Sequence, residues 1–598
     1  MTTATLPHWD MSVVYPSLES PQFAEGFRAL QEHIAALGTL FDEHSIGQQT
    51  PAPLTDQTRQ TFEQVLGQVN AVNEEASTMR AYINGFVSTD SRNATALGRL
   101  SELQQQQSIL AQLETRFTAW IGSLDVEALL AGSKLAADHA HALRQAKQRS
   151  AHLMSPAEEA LTAELRLTGS SAWSTMQSTF SAQIMVPLEI EGQPKEAPMS
   201  VVRNLAGHPE RSVRQRAYEA ELAAWQRHAV PIAASLNAIK GEVNTLTRRR
   251  GWDSPLDEAL FGASMDRQTL DAMLGEARQA FPHFRRYLHA KAKAMKLPKL
   301  AFYDLFAPLS AESKSWSYDE SKDFILTQFG GYAPHLRDFA ARAFREDWID
   351  AEPRLGKAGG GFCMRLRKDE SRILVNYETN YGGMSTLAHE LGHGYHNTRL
   401  AQRTQLQRRT PMTLAETASI FCETLVKRAA LKDATPAASV EILEASIQGQ
   451  CQVVVDITSR FLFESQVFGR RQARNLSVEE FCEIMREAQR DTYGDGLDEQ
   501  ALHQYMWAAK PHYYSGDLSF YNFPYMFGLL FGLGLYARYQ ADPNAFKGSY
   551  DELLSSTGLA DAATLAARFG IDLHAPDFWR ASLDVIKQDI DRFEQLVG

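Results

Sequence analysis

Cysteine is scarce in this chain. Only four occur in 598 residues, at Cys363, Cys422, Cys451 and Cys482, with no Cys-x-x-Cys pair. That excludes a disulfide scaffold and suits a reducing compartment, where isolated cysteines serve as small buried apolar residues. The cytoplasm is the expected location. A basic surplus is missing as well: 60 Lys and Arg stand against 72 Asp and Glu, for a formal net charge of −12. Such a surface repels phosphate backbones, so no nucleic-acid partner is expected. Residues 1–10 lack the basic and apolar regions of a secretory signal. Long apolar runs are also absent. The charge-free stretch 518–537 carries Ser519, Tyr521, Asn522, Pro524 and Tyr525, leaving only 526–537 continuously apolar. A membrane span needs ~20 such residues, so a buried core helix is expected instead. Neither a repeat of 20–50 residues nor a Pro/Gly/Ser-rich linker divides the chain.

What remains is a packed protein with 44% hydrophobic and 22% charged residues. Most of it reads as helix. Residues 62–83 and 97–121 repeat apolar side chains every three or four positions, as do 211–250 and much of 267–296. Ser155-Pro156-Ala157-Glu158 is a helix start, with a capping serine, proline at the first helical position and a reciprocal glutamate. Residues 184–190 read as a strand turning at Glu191-Gly192, with Pro187 confining it to an edge. Helical periodicity fades between 357 and 381, where 358–363 and 372–377 read as two short strands. From 384 the pattern is helical nearly to the end. The expected organisation is an N-terminal helical lobe, 1–200, followed by 201–598.

The chemistry concentrates in Thr386-Leu-Ala-His389-Glu390-Leu-Gly-His393-Gly-Tyr-His396. Two histidines four apart lie one helical turn apart on one face, so their imidazoles can meet at one ion with Glu390 beside them. Met384, Leu387, Ala388, Leu391 and Tyr395 form the apolar stripe of the same helix, so the segment is helical on independent grounds. Position 399 is arginine, which excludes the elongated three-histidine pattern. The other source of a third ligand is a later glutamate, and Glu416 lies 23 residues beyond His393. Glu416 has a second reading, as partner of Thr413 in a capping box, and spacing leaves the two open. His396 is either a contact behind the ligands or to substrate, or an exposed side chain. A second cluster runs from Lys510-Pro-His512-Tyr513-Tyr514 to Tyr521 and Tyr525, rich in phenol and imidazole donors that can stabilise an oxyanion.

These motifs resemble the oligoendopeptidase F/thimet oligopeptidase family of zinc metallopeptidases. The likeness rests on the His389–His396 segment, on Glu416-Thr-Ala-Ser-Ile-Phe-Cys-Glu423, on Gly356-Lys-Ala-Gly-Gly-Gly-Phe-Cys363 and on Ile373-Leu-Val-Asn-Tyr377. The resemblance implies a mostly α protein, with two helical lobes around a deep substrate channel and a small β-sheet beside the zinc-binding helix. It implies one Zn2+ per chain and cleavage of internal bonds in short unfolded oligopeptides. Carried over by position, His389, His393 and Glu416 hold the zinc, and Glu390 is the general base acting on the activated water. Glu423 is a carboxylate behind the ligands that orients a histidine. His512, Tyr521 and Tyr525 match groups near the substrate carbonyl, and Gly360, Gly361, Phe362 and Cys363 match a strand that holds the peptide. Asp517 departs from the thimet branch, which has a tyrosine there. Rival readings are a carboxypeptidase or dipeptidyl carboxypeptidase on the same site, or an inactive peptide-binding protein. For the former, Arg399, Arg403, Arg408 and Arg409 could supply a carboxylate receptor or merely form a solvated face.

Overall fold

The computed structural model describes residues 6–50, 53–190, 193–309 and 314–598. Among these, helices dominate, and the sheets are one two-stranded ribbon and one of three strands. Two compact units interleave along the sequence. The first takes Met1–Leu153, Ser315–Ala430 and Arg538–Gly570; the second takes Met154–Lys314, Leu431–Ala537 and Ile571–Gly598. Compactness thus cuts the chain differently from a single boundary near residue 200, because segments remote in sequence share one core.

In the first unit the helices Asp56–Thr89 and Ala94–Ser123 begin where Thr55 and Asn93 accept a first-turn N–H through their side chains. Their apolar stripes bury Phe62, Val65, Leu66, Phe117 and Trp120 in one cluster, which also takes in Leu366 and Leu374 of the three-stranded sheet. That sheet places strand Glu370–Val375 at its centre, antiparallel to Gly361–Arg367 and parallel to Ile349–Asp350. The expected strand 358–363 starts later, at Gly361. Gly360 has φ +77°, a left-handed conformation that ends extended backbone and that glycine adopts without strain. The short parallel strand was not expected, since two residues carry no periodicity. It is fixed from below by the buried Lys357, whose Nζ lies 2.7 Å from Asp350 Oδ1 and donates to Val375 O at 2.8 Å.

The helix Tyr381–Arg399 follows, started by Asn380, whose Oδ1 accepts from Gly383 N at 2.9 Å. Its stripe residues Met384, Leu387, Ala388, Leu391 and Tyr395 are all fully buried. It packs along the helix Thr417–Ala430, and the approach is closest at Gly392. A Cβ built there would lie 2.6 Å from Ala418 O and from Ser419 Cα.

In the second unit the capping box of Ser155 and Glu158 opens the helix Pro156–Thr168. The strands Met185–Ile190 and Gln193–Pro198 pair antiparallel, and the expected turn Glu191-Gly192 lies outside the described residues. The long helix Arg211–Arg249 carries buried cations matched by acids: Arg214 lies 2.9 Å from Asp304, and Lys240 lies 2.6 Å from Glu464. Most of the charge-free stretch lies in the helix Phe523–Ala541, which belongs to this unit as far as Ala537 and in which Met526 to Tyr536 are buried throughout. Among the described residues no helix is long and apolar enough to cross a membrane.

The glycine contact generates a test. Gly392→Ala forces a methyl into backbone, and overpacking of this kind costs about 1–3 kcal/mol. The expected result is a lower urea midpoint with an unchanged m-value.

Candidate metal centre

In the first unit, the helix Tyr381–Arg399 presents His389 and His393 side by side, with ring centroids 4.9 Å apart. Glu416 sits where the short helix Met412–Ala415 gives way to Thr417–Ala430, and this break turns its side chain toward the motif helix. Its Oε2 lies 3.2 Å from His389 Nε2 and 3.4 Å from His393 Nε2. One ligand atom from each of the three residues falls within 4.8 Å of the others. Two imidazole nitrogens and a carboxylate oxygen converging this way are the donor set of a catalytic zinc with an open position, so the residues fit that ion. The capping reading of Glu416 gives way to this convergence. Its Oε2 also accepts from Ser419 Oγ at 2.7 Å.

Glu423, two turns further on, lies 3.1 Å from His389 Nδ1 through Oε2, and its Oε1 accepts from Ser385 Oγ at 3.3 Å. Burial raises its pKa, yet the hydrogen bond and charge of His389 outweigh this and hold it below the ordinary carboxylate value. A carboxylate can only accept, so His389 Nδ1 donates to Glu423, which leaves Nε2 as the ring atom aimed at the cluster and facing Glu416. Burial likewise works against the ionised form of Glu416, but hydrogen bonds from His389 and His393 leave it well below the usual range. Glu390 behaves oppositely. It is 5% exposed, its Oε2 has no hydrogen-bond partner, and burial raises its pKa against the pull of the two imidazoles.

The start of strand Gly361–Arg367 lies over this carboxylate. A Cβ on Gly361 would come within 3.3 Å of Glu390 Oε1. The strand is at the edge of its sheet, with Gly360 and Gly361 exposed. Phe362 packs toward Trp9, with ring centroids 6.4 Å apart. Cys363 is turned toward the motif helix, where Asn397 Nδ2 lies 3.8 Å from its sulfur and burial pushes the thiol up. At the start of this strand the side chains of Phe362 and Cys363 are thus turned inward, and the backbone of Gly360 and Gly361 is exposed.

His512, Tyr521 and Tyr525 belong to the second unit. The phenols of Tyr521 and Tyr525 share a hydrogen bond, and the His512 ring centroid lies 5.9 Å from that of Tyr521. His512 Nε2 is buried without a partner, and burial with the nearby Arg460 and Lys510 lowers its pKa to about 3. The ring is neutral at pH 7. Its loop is pinned from several sides: Gln177 Nε2 donates to Ala508 O and Arg203 Nη1 to Ala509 O, while Arg166 holds Asp517. Phe520, with φ +53°, donates its N–H to Glu464 Oε2 at 3.1 Å, and Glu464 is itself the partner of buried Lys240. Sequence reasoning missed this bracket. Lys240 and Glu464 are 224 residues apart, and nothing local marks either as paired.

Residues 204–585 match the profile described as peptidase family M3, and 121–185 match that described as oligopeptidase F. The chain belongs to peptidase family M3. It is 23% identical over 490 residues to an oligoendopeptidase F homolog of Lactococcus lactis, covering 80% of this chain and 79% of that one. It is also 23% identical to oligopeptidase PepF of Bacillus subtilis, covering 77% and 69%. Among solved structures, oligoendopeptidase-F from Enterococcus faecium superimposes with TM-score 0.65 at 16% identity, over 96% of this chain and 99% of that one.

The structure narrows two expectations for this M3 peptidase. His396 is not an exposed side chain: it is 4% exposed, its Nε2 lies 2.9 Å from Thr557 Oγ1 and 3.2 Å from Leu554 O, and it also bonds the backbone of Ala415 beside Glu416, in keeping with a contact behind the cluster. A helix advances 1.5 Å per residue, which carries a third histidine past the cluster into the neighbouring packing. The arginine run is engaged by partners, and its last member keeps the solvated character expected of it, since Arg409 and Glu114 are both half exposed. Arg399 pairs with Asp551, Arg408 with Glu74 and Arg409 with Glu114, while Arg403 donates to Ser555 O at 2.9 Å.

Two variants separate the centre from its surroundings. Glu416→Ala is expected to lose bound metal after reconstitution, read by plasma emission spectrometry on the folded protein. Glu464→Ala strands the buried Lys240 ammonium and is expected to cost about 3–5 kcal/mol in urea unfolding, with metal content retained.

Proposed function

We propose that the chain is a zinc-dependent oligoendopeptidase that hydrolyses internal bonds of short unfolded peptides. The observation that carries this reading is the convergence of His389, His393 and Glu416 ligand atoms within 4.8 Å, with the unpartnered Glu390 carboxylate on the same helix. A zinc ion held there supplies a Lewis acid that makes water a nucleophile near neutral pH. Glu423 and Ser385 keep His389 in the tautomer and orientation a ligand needs. Glu390 takes the proton from water and returns it to the leaving amine; burial strengthens it as a base. In the proposal, the N–H of His512 and the phenols of Tyr521 and Tyr525 stabilise the charge that develops on the scissile carbonyl. The backbone of Gly360, Gly361, Phe362 and Cys363 takes the peptide as an added strand, which suits an unfolded substrate. The arginines that a carboxypeptidase reading called upon are engaged within the first unit, which favours the endopeptidase. All four cysteines are free, three of them buried, and we propose a cytoplasmic location on that basis.

Glu390→Gln decides the base. The variant is expected to keep its metal and lose about 10²–10⁴-fold in turnover; near-normal cleavage would assign the base elsewhere. A peptide blocked at both ends and quenched internally is expected to be cut by the zinc-loaded enzyme, and a chelator to stop the cleavage.

A further inference from the structure

The second unit contains a cavity of about 300 Å³ that the metal centre does not use. Its wall combines aromatic and aliphatic surface, such as Tyr218, Phe302 and Met506, with a few charged groups. One side is made by a local irregularity. The helices Pro436–Cys451 and Ile457–Arg471 are joined through a π-helical turn, Gln452–Asp456, and Cys451, Gln452 and Asp456 line the cavity there. Such turns widen a helix by one residue and recur at functional sites, since they cost hydrogen-bond geometry that packing alone does not require.

The charges on this wall do not balance. Arg214 is matched by Asp304 at 2.9 Å, with both side chains fully buried. Glu221 lies 3.6 Å from Arg203 and 3.2 Å from His503, and Asp456 is held by Arg460. Lys510 is left over. Its ammonium lines the cavity, and Asp456 and Glu221 reach it only as distant charges, without a hydrogen bond or ion pair. Desolvation and the neighbouring Arg460 lower its pKa to about 8. Lys510 is only partly buried, and an ammonium with no acid in contact offers its donors to an anion that enters the cavity. Asp304 is shared by Arg214 and Arg211, and among the lining residues Arg203, Arg214 and Lys510 stand against Glu221 and Asp456, a surplus of one positive charge that matches a monoanion. The guanidinium groups are already committed, Arg203 also donating to Ala509 O, so no free fork remains for a phosphate. A single ammonium inside partly apolar walls suits a carboxylate carried on an organic body.

We propose that this cavity is a carboxylate pocket, in which Lys510 takes the negatively charged group of a peptide. The proposal rests on the peptidase reading and names a class within it: peptides bearing a carboxylate, from the C-terminus or from an Asp or Glu side chain.

The test uses zinc-loaded full-length protein and quenched peptides of one sequence. One pair differs only in a C-terminal carboxylate or carboxamide, the other only in Glu or Gln at each position flanking the cut. The wild type is expected to cleave the charged member of one pair at least tenfold better in kcat/KM, mainly through KM; the responding pair identifies the source. Lys510→Met is expected to bring that ratio to within twofold, and Lys510→Arg to restore part of it. Equal rates in both pairs for the wild type, or an undiminished ratio in Lys510→Met, would overturn the pocket. Anisotropy of the labelled peptides on Glu390→Gln protein reads the same preference without turnover. No cleavage of any peptide by the wild type would be a failure of the peptidase reading, and the anisotropy pairs would still decide the pocket.

Discussion

The approach of two helices at Gly392 is the constraint around which the candidate metal centre is built. The helix Tyr381–Arg399 can carry its two imidazoles wherever it packs, but a third donor has to come from another element. That element is the break before Thr417–Ala430, and just beyond it Ala418 and Ser419 meet the motif helix at Gly392 with no side chain between. The glycine inside His389-Glu-Leu-Gly-His393 therefore belongs to the site although it touches no ligand. Its hydrogen is what lets Ala418 and Ser419 close to backbone contact.

Around this contact, charge is compensated nearly everywhere it is buried. Ionised Glu416 and Glu423 stay so against burial because two imidazoles face them, and the arginines beyond the motif are each tied to an acid or a carbonyl. The second unit follows the same rule with Arg214 and Asp304 and with Lys240 and Glu464. Against that background Glu390 and Lys510 stand out. One is a buried carboxylate with an unpartnered oxygen, and the other an ammonium without its acid. Groups left uncompensated in a structure that compensates the rest are where reaction and recognition are to be sought.

Much of the fold was legible in the chain. The capping box at Ser155, the hairpin strands either side of Glu191-Gly192 and the long amphipathic helices each depend on residues close in sequence, and the structure has them. The strand boundaries moved by a few residues, since Gly360 breaks extended backbone where alternation alone would continue it. The parallel strand Ile349–Asp350 was invisible, because two residues have no pattern to detect. His396 shares the ligand face of its helix by spacing, yet packing assigns it to Thr557 instead.

What the sequence by itself determined is the local part of the chemistry. Histidines at i and i+4 share a face because a helix turns every 3.6 residues, and Glu390 accompanies them for the same reason. The resemblance to a metallopeptidase family rests on such short-range patterns. Only the tertiary structure decided that Glu416 turns to the imidazoles, which partners the arginine run takes, and that Lys510 lines a cavity without an ion pair. Those outcomes depend on the meeting of separate segments, 23 residues apart for His393 and Glu416 and 334 for Arg408 and Glu74, which packing sets and no local period encodes.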